Sequence, residues 1–364
     1  MQHPVDVAQL PEGARKVLTG PAPLKMMAAR GMAPLPPVAM MAALYGLAWS
    51  ADAGLRDAAA KTIAGLPEAV VGSALASPDF PAAVLDDFVT RAAGNRAYVE
   101  RVVRHPNTAG ETIARLARDG DEALTEIISQ NEQRMLAWPE VIEALYLNPA
   151  TRMSTSDRIV EFAARNGLKV NVPGFEQIVA ALKNQVILPP SDAPAERDVA
   201  FVVALEEARE FNLDDLEEDD DGAVLVKEGA RKAEKKIEDM NVTEKIRTAM
   251  LGNALQRSLL IRSTNRLVAA AVLDSPKIGD DEVVKIAASR GVSEDILRRI
   301  AGRGAWMRLY EVKLNLVSNP KTPIGDAMKL IIHLRESDMK RVAASKNVSA
   351  AVRTAANNHL KKRK

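Results

Sequence analysis

The chain has 364 residues, of which 47% are hydrophobic and 27% charged, a mixture typical of a globular protein with a sizeable core. It contains no cysteine, which excludes disulfides, thiol catalysis and metal sites built on thiolates. Lysine and arginine (49) nearly balance aspartate and glutamate (48), and aromatic residues are only 4%, so aliphatic side chains and alanine must fill the core.

The N-terminal region predicts a short tail followed by a helical domain. Residues 1–19 lack the basic head and apolar middle of a signal peptide, and we expect them to form a tail. Residues 31–51 carry no charge, but Pro34, Pro36 and Pro37 interrupt them, so residues 38–49 are expected to form a buried core helix and not a membrane span. Without an export signal or cysteine, the predicted location is the cytoplasm.

The rest of the chain indicates helices separated by similar breaks. Apolar residues recur three and four positions apart, and a small polar residue or histidine precedes proline at several breaks. These pairs are Ser77-Pro78, His105-Pro106, Asn148-Pro149, Ser275-Pro276 and Asn319-Pro320. Each proline ends one helix, and His105 is expected to act in its turn and not as a metal ligand. The irregular spacing predicts degenerate helical-hairpin repeats.

Two later breaks have similar sequences. Residues 287–293 (AASRGVS) resemble residues 343–349 (AASKNVS), which lie 56 positions further on. Gly291 and Asn347 occupy the same place, and both residue types tolerate the left-handed conformation that ends a helix.

Short helical hairpins with Asn-Pro at the break resemble the α-helical solenoid repeats of the HEAT and leucine-rich-repeat-variant type. The C-terminal part also resembles an uncharacterised bacterial protein family of unknown function. The segments that carry this second resemblance are Glu244-Lys245-Ile246, Leu251-Gly252-Asn253, Leu260-Ile261-Arg262, residues 271–276 and residues 316–323. The resemblance implies an all-α solenoid and no activity. Together with the composition of the middle of the chain, it predicts two repeat blocks joined by an acidic connector.

The middle of the chain has a different composition. Residues 189–194 are rich in proline, and residues 214–221 contain seven acids, namely Asp214, Asp215, Glu217, Glu218, Asp219, Asp220 and Asp221. Such a run repels itself and is not expected to pack. The predicted organisation is a tail (1–19), a repeat domain (20–188), a partly disordered acidic connector (189–240) with helices near 196–211 and 227–239, and a second repeat domain (241–364).

Charge is distributed unevenly along these regions. Residues 1–188 have a net charge of −2, residues 189–240 of −10, and residues 241–364 of +13. The basic block is a candidate surface for nucleic acid or another polyanion. The acidic connector is expected to fold over it as an electrostatic lid, although a purely solvated basic surface is an alternative explanation.

No motif indicates catalysis, a cofactor or a metal: the chain has no phosphate-binding Gly-Lys-Ser/Thr loop, no dinucleotide fingerprint and no His-Glu-x-x-His. Trp306 and Tyr310 are four residues apart and are predicted to share a helix face, where they either pack between repeats or stack on bases. The candidate residues for an anion or partner are Arg298, Arg299, Arg303, Trp306, Arg308, Tyr310, Lys313, Lys340, Arg341, Lys346 and Arg353.

The sequence therefore favours a non-enzymatic scaffold that binds a protein partner through a solenoid surface. The alternative is binding of nucleic acid or another polyanion by the basic C-terminal repeats, modulated by the acidic connector. An enzyme with a small-molecule substrate is not expected, and neither is a membrane partner.

Overall fold

The fold is all-α, as predicted. The computed structural model describes residues 6–92, 94–183, 186–219 and 224–363, which form 24 α-helices, five short 3₁₀ turns and one two-stranded hairpin. Asp220 and Asp221, the last two members of the acidic run, lie outside the described residues. The chain divides into two compact units, Met1–Leu145 and Tyr146–Lys364.

The first unit is built from short helices that pack on their neighbours in sequence. They are α1 (Glu12–Thr19), α2 (Ala22–Ala29), α3 (Pro37–Leu47), α4 (Ala53–Ala64), α5 (Glu68–Leu75), α6 (Ala82–Arg91), α7 (Arg96–Arg104), α8 (Gly110–Asp119), α9 (Glu122–Ser129) and α10 (Glu132–Ala137). The next helix, α11 (Glu140–Leu147), contains the division between the units.

Helix α3 is the centre of the N-terminal helices and confirms the core helix expected from the uncharged stretch. Nine of its eleven residues are buried, and it packs against α1, α2, α4, α5 and α6. A helix that is apolar on every side is stable in water only when it is surrounded by other elements. Residues 12–19, which were predicted to belong to a tail, form α1, because Ala14 and Val17 lie on the face that packs against α3.

The second unit contains the remaining helices and the hairpin. The helices are α12 (Met153–Arg165), α13 (Phe175–Leu182), α14 (Glu196–Glu207), α15 (Arg231–Asp239), α16 (Val242–Leu251), α17 (Ala254–Leu260), α18 (Arg266–Leu273), α19 (Asp280–Ala288), α20 (Glu294–Gly302), α21 (Tyr310–Ser318), α22 (Ile324–Ile331), α23 (Glu336–Ala344) and α24 (Ala350–Arg363). Strand β1 (Leu216–Glu218) pairs antiparallel with β2 (Val224–Val226), and Glu218 lies opposite Val224.

The region predicted as a partly disordered connector is built into this second unit. Helices α14 and α15 form close to the predicted positions, and their apolar residues Phe201, Leu205 and Ile237 belong to the same buried cluster as α16 to α24. The described part of the acidic run forms a 3₁₀ turn and strand β1; Asp214, Glu217 and Asp219 are exposed, as expected of an acidic run, but Glu218 is bound by the helices. The helical spacing of the flanking apolar residues outweighs the local acidity, and both predicted boundaries, 188 and 240, fall inside the unit.

Four of the five breaks before proline share one turn geometry. The side chain of the residue before proline accepts a hydrogen bond from the backbone N–H two positions on, because proline has no N–H to offer. This bond joins His105 Nδ1 to Asn107 (3.1 Å), Asn148 Oδ1 to Ala150 (2.8 Å), Ser275 Oγ to Lys277 (3.3 Å) and Asn319 Oδ1 to Lys321 (3.0 Å). The predicted turn role of His105 is thereby confirmed.

Side chains near one break also donate hydrogen bonds to backbone carbonyls at an earlier break. His105 Nε2 bonds the carbonyl of Ser77 at 2.9 Å, 28 residues earlier, and Asn319 Nδ2 donates to the carbonyls of Ala287 (3.0 Å) and Ser289 (2.8 Å), 32 and 30 residues earlier. Arg134 donates to His105 O across 29 residues at 2.7 Å. Ser77 O and His105 O also accept backbone N–H groups, from Phe80 (3.2 Å) and Thr108 (3.2 Å). The side-chain bonds therefore add a second donor there and join breaks that lie 28 to 32 residues apart, a repeat-like spacing.

The similar residues 287–293 and 343–349 form a shared turn, in which neither Gly291 nor Asn347 uses the left-handed conformation that both tolerate. Among the described residues, positive φ occurs only at Gly31, Gly167 and Gly174. Instead Ser289 and Ser345 end their helices in extended conformation, and each hydroxyl accepts the N–H two residues on, at 3.2 and 3.3 Å. The serine side chain supplies the turn, so Gly291 and Asn347 need no special backbone conformation.

Candidate functional site

A carboxylate from the acidic region is seated on the basic C-terminal helices. Glu218, at the end of β1, accepts hydrogen bonds at Oε1 from the Ser289 hydroxyl (2.9 Å) and from the backbone N–H groups of Arg290 (2.8 Å) and Gly291 (3.3 Å). Its Oε2 accepts from Arg262 Nη2 at 2.6 Å. We call Arg262, Ser289 and the N–H groups of Arg290 and Gly291 the carboxylate niche.

The repeat turns position this niche. Arg262 follows the C-terminal end of α17, and Ser289 is the C-cap of α19, so side chain and backbone donors from two successive breaks converge. The Ser289 hydroxyl accepts from Gly291 N–H (3.2 Å) and from Arg262 Nη2 (3.2 Å), which directs its single proton to Glu218. Ser289 is only 5% exposed, so its orientation is held by the surrounding packing.

The electrostatics of the niche favour an ionised carboxylate. Partial burial by itself raises the pKa of Glu218, but the hydrogen bonds from Ser289 and Arg262 outweigh it and hold that pKa below the ordinary value of 4.5. Arg262 Nε is buried and has no hydrogen-bond partner among the described residues, so Glu218 engages only one side of the guanidinium group. A carboxylate that used both nitrogens would be a better ligand than Glu218.

A cavity of about 420 Å³ lies beside the niche. Its lining is mixed: Leu213, Leu216 and Ile286 are apolar, whereas Ser258 and Lys285 are polar. Acidic residues also line it: Glu217, Glu218, Asp219 and Glu282. Glu282 is bound to Arg257 through two hydrogen bonds of 2.9 and 2.7 Å. The cavity therefore has space for a side chain or a short peptide next to the seated carboxylate.

Most of the predicted basic residues are paired with nearby acids. Arg298 contacts Glu294 (2.5 Å) and Asp295 (3.0 Å) on its own helix, and Lys340 contacts Glu336 at 2.6 Å. Arg341 lies 3.4 Å from Asp338. Asp274 contacts two further members of the set, Arg303 and, at 4.0 Å, Arg299. These pairs neutralise part of the local positive charge.

The other predicted basic residues are spread over several elements. Arg308 and Lys346 are exposed, and Lys313 is half-buried on α21. Arg353, on α24, is half-buried and donates to the carbonyl of Ser345 at 3.3 Å. The structure thus distributes the predicted set from α20 to α24.

Trp306 and Tyr310 do not share a helix face, so that prediction was wrong. Trp306 is in a 3₁₀ turn, and Leu309 is extended, so α21 begins afresh at Tyr310. Trp306 is 8% exposed, with the Arg303 guanidinium 4.6 Å from its ring centroid. The Tyr310 hydroxyl donates to Asp338 (2.6 Å) and accepts from the backbone N–H of Arg335 (3.0 Å).

A fully buried arginine is a feature that sequence reasoning missed. Arg247, on α16, donates to the carbonyls of Asn148 (2.9 Å), Thr151 (2.8 Å) and Tyr146 (3.3 Å). Burial lowers its pKa to about 10, and its guanidinium lies 5.2 Å from the ring centroid of Phe201. Because it ties three carbonyls of the α11–α12 connection to α16, its role is structural.

A buried acid lies close to this arginine. Burial raises the pKa of Asp157 to about 6, although its ion pair with Arg197 and the charge of Arg247 act in the opposite direction. Asp157 Oδ1 has no hydrogen-bond partner in the described part of the chain. The ion pairs around it join α12, α14 and α16, since Arg197 contacts both Asp157 and, at 3.6 Å, Glu244.

An exposed apolar stripe on α22 was also missed. Ile324, Met328 and Ile332 are 49%, 45% and 47% exposed, and they are spaced four residues apart. The opposite face, with Ala327, Leu330 and Ile331, is buried. Since this segment is apolar at six of nine positions, its sequence does not show which face remains in solvent.

A comparison with protein-family models, with curated proteins and with solved structures finds no match to this chain. The resemblance to HEAT-type repeats and to a bacterial family therefore stays a prediction. Within residues 6–92, 94–183, 186–219 and 224–363, no group of three or more histidine or acidic side chains is arranged to hold a metal ion. Over the same described ranges, every helix is too short or too polar to cross a bilayer.

Proposed function

We propose that this chain is a non-enzymatic helical-repeat scaffold that binds a protein partner, and that the partner lays an acidic amphipathic helix along α22. The observation that carries the proposal is the stripe of Ile324, Met328 and Ile332. Exposed hydrophobic side chains are usually scattered, whereas three in line at helical spacing fit a partner helix. The repeat-like order of the helices and the ties between successive breaks support a solenoid scaffold.

The positive charge around the stripe indicates that the partner helix is acidic. Lys321, Lys329 and Arg335 are exposed on or beside α22, and the one acid on the helix, Asp326, pairs with Lys329 at 3.1 Å. An apolar stripe with a cationic border is complementary to a helix that has leucine on one face and glutamate on its flanks. The stripe spans about 12 Å along the helix, which is enough for two or three anchor residues.

Binding of nucleic acid or another polyanion is the second candidate. Exposed Arg308 and Lys346 support it, but Arg298, Arg303 and Lys340 are already paired with acids. A polyanion would have to compete for these cations, whereas the α22 stripe is open to an apolar partner.

The test uses the purified full chain and a fluorescein-labelled synthetic helix with leucine at three- and four-residue spacing and glutamate elsewhere. Fluorescence anisotropy should show binding, and Met328→Glu should weaken it at least about ten-fold by placing a charge in the apolar contact. Leu136→Glu, which changes an equally exposed residue (44%) on α10, is the matched control and should bind like wild type.

Two outcomes would contradict the proposal. One is equal affinity of the labelled helix for wild type and Met328→Glu at unchanged helix content. The other is tighter binding of a 20-base-pair DNA duplex than of the peptide, with strong salt dependence, which would favour the polyanion candidate.

A further inference from the structure

We propose that the carboxylate niche is a binding site for an acidic peptide segment of a partner protein, and that Glu218 occupies it as a built-in competitor. This site is distinct from the stripe on α22 and does not depend on it. The niche already holds a carboxylate on four donors, so its chemistry is demonstrated by the chain's own residue.

The donors are arranged for a planar carboxylate. One oxygen of Glu218 receives the Ser289 hydroxyl and backbone N–H groups, and the other receives Arg262. The unused Nε of Arg262 is buried beside them, so a peptide carboxylate that reaches both guanidinium nitrogens gains a bond that Glu218 does not make. The niche is therefore better suited to an external carboxylate than to its present occupant.

The surroundings favour a carboxylate over a phosphate. The adjoining cavity is lined by three cations, Arg262, Lys285 and Arg290, as well as by four acids, so its charges are largely balanced. The donors of the niche are already matched by the two oxygens of one carboxylate, and a phosphate would bring a second charge with no further donor for it. Leu213, Leu216 and Ile286 offer apolar contacts in the same cavity. The expected ligand is thus an acidic segment that also carries apolar residues, as the chain's own residues 213–219 do.

The present occupant can leave without unfolding of the unit. Glu218 is 25% exposed at its side chain and Arg262 18%, so the carboxylate of Glu218 can rotate toward solvent. Because Glu218 belongs to the same chain, it competes at an effective concentration on the order of 10 mM. A peptide with an intrinsic dissociation constant of about 1 mM is then weakened about ten-fold in the wild type.

The experiment measures binding of a fluorescein-labelled peptide that copies residues 213–219 to the full chain. Glu218→Gln should bind it about ten-fold more tightly than wild type, because the competitor has lost its charge. Glu217→Gln is the matched control: it removes the same charge from the same strand, but the Glu217 side chain makes no hydrogen bond or ion pair among the described residues, so the affinity of this variant should equal that of wild type. Adding Arg262→Gln to Glu218→Gln should abolish binding.

Circular dichroism of each variant confirms that the helices remain intact. Absence of binding by Glu218→Gln, or equal affinity of Glu218→Gln and Glu217→Gln, would overturn the proposal. So would tighter binding of a 20-nucleotide single strand than of the peptide to Glu218→Gln, since the site would then read polyanions. Met328→Glu should bind this peptide with the affinity of wild type. The two proposals are therefore tested separately, and loss of binding in one assay does not contradict the other site.

Discussion

Replacing Arg247 by methionine should destabilise the second unit by about 3 kcal/mol. The variant loses two short charged hydrogen bonds, to Asn148 O (2.9 Å) and Thr151 O (2.8 Å), and a longer one to Tyr146 O (3.3 Å). Hydrogen bonds to charged groups contribute about 1.5 to 3 kcal/mol each, although Asn148 O keeps the backbone N–H of Thr151 (3.1 Å) as a donor. Relief from burying a charge, and the apolar packing of methionine, offset part of this loss.

The measurement is urea unfolding of the full chain. Of the three tryptophans, Trp49 and Trp138 belong to the first unit and Trp306 to the second, so a Trp49→Phe/Trp138→Phe background makes fluorescence report the second unit. Arg266→Met is the control: Arg266 is 89% exposed with an ion-pair distance of 3.5 Å, and its loss should cost less than about 0.5 kcal/mol. A loss below about 1 kcal/mol for Arg247→Met would refute the assignment of a structural tie.

Three further predictions concern the first unit, the repeat ties and the pH dependence. Gly110→Ala should lower the free energy of unfolding of the first unit by about 1 to 3 kcal/mol, because the added Cβ would lie 2.0 Å from the Trp138 ring. Gly94→Ala, whose added Cβ has no atom within 4 Å, should leave that free energy unchanged. Asn319→Ala should cost about 2 kcal/mol in urea unfolding, because two carbonyls of the preceding break lose their donor; a change below about 0.5 kcal/mol would contradict the tie. Wild type should be more stable than Glu218→Gln at pH 7. Because the pKa of Glu218 is lowered in the folded chain, this difference should begin to shrink as the pH falls below the ordinary glutamate pKa of 4.5 and should be lost as the pH passes through the lowered pKa; a difference that does not shrink between pH 7 and pH 2 would contradict this.

Local pattern in the sequence determined the all-α class and several features of the helices. The proline pairs and the three- and four-residue apolar spacing are short-range signals, and they correctly place the turn at His105 and helices near α14 and α15. The uncharged stretch before residue 51 also indicated the buried α3, because an apolar segment of that length has few other stable environments. Such features depend on residues a few positions apart.

Tertiary contacts decided the placement of Glu218, the burial of Arg247 and the exposed face of α22, because these depend on residues far apart in the sequence. The acidic run appeared unable to pack because its charges repel each other, yet Glu218 finds donors from Ser289 and Arg290 more than 70 residues away. Arg247 resembles any other helical cation in sequence, and only the convergence of three carbonyls around 100 residues earlier makes its burial favourable. Which face of α22 meets solvent is likewise set by its neighbours α21 and α24, since both faces are apolar. The charge and polarity of a residue are local properties, whereas its desolvation and its partners are fixed by long-range packing.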